Sequence, residues 1–162
     1  MKKIAVLSDT HLHEPDDTLR DILDRIKDVD MVIHLGDIVS KSVLDYISER
    51  FKTFAVCGNM DPPDLRGELK EKLVLEIENV KIGLIHGYGA PWGIEDRIMG
   101  VFRNENVDAI FFGHTHNPTK KKIKNILFFN PGSPTDKLYA RENTYGIVTI
   151  DGDKINAEII KV

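Results

Sequence analysis

The feature that most constrains this chain is a set of six short apolar runs, each closed by polar residues. They are "KIAVLSD" from Lys3, "MVIHLGD" from Met31, "FAVCGN" from Phe54, "KIGLIHG" from Lys81, "AIFFGHTH" from Ala109 and "ILFFNPGS" from Ile126. A strand with one wet face alternates apolar and polar side chains, whereas a near-continuous apolar run asks for cover on both faces. Between the runs, Leu19, Ile22, Leu23 and Ile26 recur at helical spacing behind Asp16 and Asp17. Val43, Leu44 and Ile47 do so behind Ser40, and Ile94, Ile98, Val101 and Phe102 do so further on. Strands separated by helices predict parallel pairs, and the short links at Glu78-Asn79 and Asp151-Gly152 predict antiparallel hairpins. The expected class is α/β with mixed sheets, in a single domain over residues 1–162.

Composition removes several function classes. A net charge of -4 argues against a general binder of nucleic acid or anionic membrane, because both rely on basic surface. The lone cysteine, Cys57, excludes an internal disulfide and suits a reducing compartment. The opening "MKKIAVLSDTH" has an apolar run of only about five residues before Asp9 and His11, too short for an export signal. No apolar segment approaches the roughly 18 residues needed to span a bilayer. The expectation is a cytoplasmic protein without membrane contact.

The polar endings of the runs carry the chemistry. Asp9, His11, Asp37, Asn59, His86, His114 and His116 all stand at or just past a strand end. Parallel strands gather their carboxyl ends along one edge, so these side chains can converge from distant parts of the chain. One metal ion takes three or four such ligands, so seven suggest two ions sharing a carboxylate. Imidazole, carboxylate and amide oxygen together suit Mn, Fe, Zn or Ni, and the thiolates that softer sites need are absent. Residues two apart in an extended segment point the same way, which pairs Asp9 with His11 and His114 with His116. Gly36, Gly58 and Gly113 precede Asp37, Asn59 and His114, letting backbone approach the cluster closely or turn sharply.

In order, Asp9-x-His11, Gly36-Asp37, Gly58-Asn59-x-Asp61, His86-Gly87 and Gly113-His114-Thr115-His116 resemble the motif series of the calcineurin-like metallophosphoesterases. Brevity and the "NPGS" turn are similar to its small YfcE-like branch of phosphodiesterases. The resemblance implies two packed mixed β-sheets flanked by helices, a four-layer α/β/β/α sandwich. It further implies that Asp9, His11 and His116 hold one divalent ion, that Asn59, His86 and His114 hold another, and that Asp37 bridges them. Manganese is the expected metal, with Ni, Fe, Zn or Mg as alternatives. The implied reaction is in-line attack of a metal-bridging hydroxide on the phosphorus of a small phosphate ester, with Asp37, Asn59 and His114 as the catalytic set. Many relatives place a histidine after Gly-Asn, but this chain has Met60, whose thioether donates no proton. YfcE-like relatives also often lack this histidine and are associated with phosphodiester hydrolysis, so the resemblance implies diesters.

The remaining candidates carry plainer readings. Asp61 is a candidate support for the Asn59 loop. His13 reads as a solvated loop residue, His34 as a hydrogen-bonded core histidine and Cys57 as packing. Asn130 and Ser133 fit either a plain turn or contact with the metal shell, and Trp92 fits a rim over the site. Lys120, Lys121, Lys122 and Lys124 read as a solvated hairpin face. Two other functions stay open: a binding scaffold resembling the retromer subunit of this fold, and a nuclease, for which the sequence supplies no extended basic groove. Self-association of the chain is a further open expectation.

Overall fold

The apolar runs become strands covered on both faces. The computed structural model describes residues 1–162. Along the chain lie β1 (Lys2–Leu7), α1 (Asp17–Arg25), β2 (Met31–His34), α2 (Lys41–Ser48), β3 (Thr53–Ala55) and α3 (Pro63–Glu68). There follow β4 (Lys72–Ile77), β5 (Val80–Ile85), α4 (Ile94–Val101), β6 (Ala109–Phe111), β7 (Thr119–Ile123), β8 (Ile126–Asn130), β9 (Thr144–Asp151) and β10 (Lys154–Lys161).

These strands form two five-stranded mixed sheets, ordered β10-β9-β1-β2-β3 and β4-β5-β6-β8-β7. Within them β1, β2 and β3 run parallel, as do β5, β6 and β8. Those six are the six apolar runs of the sequence. Each sheet is flanked by antiparallel strands joined through short hairpins.

Alternation along β1 shows why its sequence looks continuously apolar. Ile4 and Val6 face the other sheet, packed with Ile33, Ile82, Leu84, Phe111 and Phe129. Ala5 and Leu7 face the opposite way, against Leu19, Ile22 and Leu23 of α1 and Val43 and Ile47 of α2. The second sheet repeats the arrangement, with Ile110, Phe112 and Phe128 packed against Ile94, Ile98 and Phe102 around α4. Four layers result, helices outside and sheets within, as the family resemblance implied.

Local chemistry sets the helix starts. Asp16 accepts a hydrogen bond from Leu19 N and Ser40 one from Ser42 N, each capping the helix that follows. Two details differ from expectation. The last hairpin turns at Gly152 and Asp153, one residue later than predicted, because Asp151 still pairs with Lys154 and Gly152 adopts the positive φ of 61° that the turn requires. The short α3, started by Pro62 and Pro63, was not anticipated from its weak apolar pattern. No helix is long and apolar enough to cross a membrane.

Phe111 and Phe129 meet edge to face in the inter-sheet core, with ring centroids 5.5 Å apart. Replacing Phe111 with Ala is expected to cost about 3–5 kcal/mol in urea unfolding; a loss under about 1 kcal/mol would contradict this packing.

Candidate metal centre

All six parallel strands deliver their carboxyl ends to one rim, where the loops lock together. The backbone there is unusual: Asp9, His11, Asp37, His114 and His116 all have positive φ, between 47° and 69°. Such conformations cost on the order of 1–3 kcal/mol each in a residue other than glycine and persist only where the surroundings enforce them. Here the enforcing contacts are visible. Asp9 N donates to Gly36 O (3.0 Å) and His11 N to Asp37 O (3.1 Å), tying the β1 and β2 loops together. His114 N donates to Asp9 Oδ2 (3.0 Å).

Asp61, itself buried, accepts from three backbone N–H groups: Asp37 (3.0 Å), Val39 (2.7 Å) and Gly58 (2.7 Å). It therefore supports the Asp37 loop as well as the Asn59 loop that the sequence suggested. Two of the glycines are required by closeness. A Cβ on Gly58 would lie 2.2 Å from Asp37 Oδ1, and one on Gly113 would lie 1.9 Å from Ser8 Oγ.

The seven predicted residues come together. Asp9, His11 and His116 form one compact group and Asp9, Asp37 and His86 another, with the potential ligand atoms in each within 4.8 Å of one another. Asn59 Oδ1 lies 3.1 Å from His86 Nε2 and 3.2 Å from His114 Nδ1, closing the second side. Each aspartate divides its oxygens. Asp9 Oδ2 accepts from Ser8 Oγ (2.6 Å) and His114 N, and Asp37 Oδ1 accepts from Met60 N (2.8 Å). The other oxygen of each faces the cage. Asp37 Oδ2 is 3.4 Å from His11 Nε2 and 3.3 Å from His86 Nε2.

Asp9 Oδ1 is the only buried side-chain N or O atom without a hydrogen-bond partner. It lies 3.2 Å from His116 Nε2, 3.7 Å from His11 Nε2 and 3.8 Å from His86 Nε2. A buried carboxylate oxygen left unpaired amid imidazole nitrogens is costly, and a divalent cation satisfies all of them at once. The donor set therefore fits a metal.

Outer contacts fix which imidazole nitrogen faces inward. His86 Nδ1–H donates to Leu35 O (2.7 Å), His116 Nδ1–H to Asp136 Oδ2 (2.5 Å) and His114 Nε2–H to Gly89 O (2.9 Å). Each leaves the opposite nitrogen with a lone pair on the cage side. Arg97 on α4 in turn holds the Gly89 loop, donating to the carbonyls of Tyr88 (3.0 Å), Trp92 (3.1 Å) and Ala90.

Electrostatics follow from this crowding. Burial would raise the Asp9 carboxyl, but His11, His116 and His86 outweigh it and hold the group well below the usual range. Burial also works to raise Asp37, and His86 and the Met60 N–H bring it down. Burial would lower His116, yet Asp9 and Asp136 push it up to about 9. His86 is likewise raised, by Asp37 and Asp9 against burial.

The sequence missed Asp136 and Arg97, whose only signals are an aspartate in a polar turn and an arginine on an amphipathic helix. Ser133 Oγ donates to Asp9 O (2.7 Å) and Asn130 Nδ2 to Gly113 O (2.9 Å), so both brace the ligand loops as well as forming a turn. His34 stays out of the cage, bonded to Thr10 Oγ1 (3.1 Å) and the Gly36 N–H (3.2 Å). His13 is exposed, Trp92 is 80% exposed on the loop beside the site, and Cys57 is partly buried with its thiol raised by burial.

Replacing Asp136 with Asn is expected to weaken metal binding about 10–100-fold in competition with a chelator; unchanged affinity would refute its role. Burial holds His34 down at about 4, while an unfolded histidine titrates near 6.5. The unfolded chain therefore takes up this proton first as pH falls. Stability drops between about pH 6.5 and 4, by at most about 3 kcal/mol from this residue, and is unaffected above that window. The raised histidines act at higher pH and the lowered aspartates at lower pH. Urea unfolding of metal-free protein across the window, compared with His34→Asn, measures the effect, and an identical slope in the two would disprove it.

Comparison with known proteins agrees with this fold. The calcineurin-like phosphoesterase superfamily domain matches residues 1–153. A probable metallophosphoesterase of Methanocaldococcus jannaschii is 40% identical over 136 residues, covering 82% of this chain and 68% of that protein. A phosphodiesterase of the same organism is 29% identical over 146 residues, covering 80% of this chain and 82% of its own. Among solved structures, zinc-complexed Vps29 of Entamoeba histolytica superposes with a TM-score of 0.78 at 24% identity, over 98% of each chain; at that identity the likeness speaks for the fold alone. A match over nearly the whole chain, to a fold already laid out above, leads to one conclusion: this protein belongs to the calcineurin-like phosphoesterase superfamily.

Proposed function

We propose that the chain is a phosphodiesterase working with two divalent cations, manganese first among them, on a small phosphate ester in the cytoplasm. The observation that carries this reading is the position of Asp37 Oδ2, 3.4 Å from His11 and 3.3 Å from His86. One of those histidines belongs to each proposed ligand set, which supports reading Asp37 as the bridging carboxylate. Asp9, His11 and His116 would hold one cation, and Asn59, His86 and His114 the other. When bound, such a pair acidifies water towards neutral pH and balances charge on the phosphoryl oxygens.

The chain's own groups do the rest. Asn59 turns its amide oxygen to His86 and His114, which leaves its NH2 free to donate to a phosphoryl oxygen. His114, anchored on Gly89 O, forms the adjoining wall of the cleft. Met60 stands 59% exposed on the cleft with no proton to give, so departure of a poor alkyl leaving group gains nothing from it. The similar protein named a phosphodiesterase supports the diester preference. The exposed apolar rim of the cleft favours one second reading, a protein-binding scaffold; bound metal without turnover on any ester would select it.

Mn-loaded protein is expected to cleave an aryl phosphodiester with a higher kcat/KM than the matching monoester. Asp37→Asn should lower that rate at least about 100-fold while circular dichroism stays unchanged. Equal or reversed preference rejects the diester assignment, and full activity in Asp37→Asn rejects the bridging carboxylate.

A further inference from the structure

Exposed large apolar side chains on a soluble surface are ordinarily scattered singly, and a cluster at a cleft marks a place where something binds. Here they cluster. Met60 (59% exposed), Leu138 (84%) and Tyr139 (80%) all line the cleft that contains His11, Asn59, His114 and His116. Pro91 completes the wall from the Gly89 loop.

The geometry points to a subsite for a planar aromatic group of the substrate, an aryl ring or nucleobase, held against Tyr139, Leu138 and Met60 beside the metal centre. This rests on the phosphodiesterase reading and adds the class of ester to it. Four observations carry it. The cleft measures about 790 Å³, within the range of about 300–1,000 Å³ that encloses drug-sized ligands and far beyond the needs of a phosphoryl group. The Tyr139 ring lies 6.5 Å from that of His116, centroid to centroid, at 73°, so a group attached to phosphorus at the cage reaches it directly.

The loop that presents these side chains is also built rather than slack. Asp136 accepts from the N–H groups of Leu138 (2.8 Å), Tyr139 (3.2 Å) and Ala140 (2.8 Å) while holding His116. Thr135 Oγ1 donates to Thr10 O at 2.6 Å, and Asn143 Nδ2 to Asp136 O at 2.6 Å. The backbone is pinned on both sides, yet its apolar side chains are left in solvent. Charge then limits the size of the ligand. Lys137 is the only Lys or Arg lining the cleft, whereas a nucleic-acid polymer needs a row of cations along its phosphates. One phosphate with one aromatic group fits; a strand does not. Stacking on an aromatic side chain is tolerant of which ring is bound.

The test is calorimetric titration of Mn-loaded protein with adenosine 5′-monophosphate and ribose 5-phosphate, in the native chain and in Leu138→Ala/Tyr139→Ala. The second pair, phenyl phosphate and methyl phosphate, separates a general aryl site from a nucleobase site. Native protein is expected to bind the aromatic member of at least one pair about tenfold more tightly, and the double variant to bring the two within about twofold by weakening only the aromatic member. Both replaced side chains are exposed and the backbone bonds to Asp136 survive alanine, so folding is not at issue. Equal affinities in native protein overturn the subsite, as does a variant that weakens both members alike. A concentration-dependent dimer that the double variant abolishes would also overturn it, by assigning the patch to a second copy. Binding is read without turnover, so a chain that prefers the aromatic ligands but hydrolyses no ester fails the phosphodiesterase reading and not this one.

Discussion

Two buried carboxylates facing each other across a ring of imidazoles are the constraint on which the rest of this structure depends. Asp9 and Asp37 contribute oxygens to one group whose members lie within 4.8 Å. Two like charges at that distance repel by about 3.5 kcal/mol even at an effective dielectric constant of about 20, before any desolvation cost. Nothing apolar could relieve this. Positive charge between the carboxylates offsets this repulsion, and the aspartates raise both His86 and His116 against burial.

The same aspartates explain how the strained loops hold their shape. Asp9 Oδ2 and Asp37 Oδ1 take backbone N–H groups from His114 and Met60, so each carboxylate ties its own loop to another while its second oxygen faces the cage. Asp61 repeats the device without entering the cage, through three N–H groups of the β2 and β3 loops. Asp9, His11, Asp37, His114 and His116 all have positive φ, so Asp9 with His11 and His114 with His116 converge through turned backbone and not through the extended segments that the sequence suggested. Strain and ligand placement are thus one feature, and the hydrogen bonds that offset the first preorganise the second.

An outer ring of contacts carries that order to the cleft mouth. Asp136 holds His116 on one side and the backbone of Leu138 and Tyr139 on the other, so one carboxylate joins the metal centre to the apolar rim. Arg97 does the equivalent for His114, through the carbonyls of the Gly89 loop. A change at either residue would disturb both a candidate metal ligand and the rim of the cleft.

Much of this was legible in the chain itself. Six short apolar runs bounded by polar residues suit strands covered on both faces better than buried helices, and the parallel course of those strands puts seven polar endings on one rim. The candidate ligands were readable because each lies within a few residues of the end of the strand that leads to it. Asp136, Arg97 and the double duty of Ser133 were not readable. Asp136 meets His116 across 20 residues and Ser133 meets Asp9 across 124, and their local sequences are those of ordinary turns. Which carboxylate oxygen faces inward, which imidazole nitrogen carries the proton, and which apolar side chains stay in solvent depend on groups brought close only when the two sheets pack. Local sequence encodes strand, helix and turn; contacts between distant loops exist only in the folded whole.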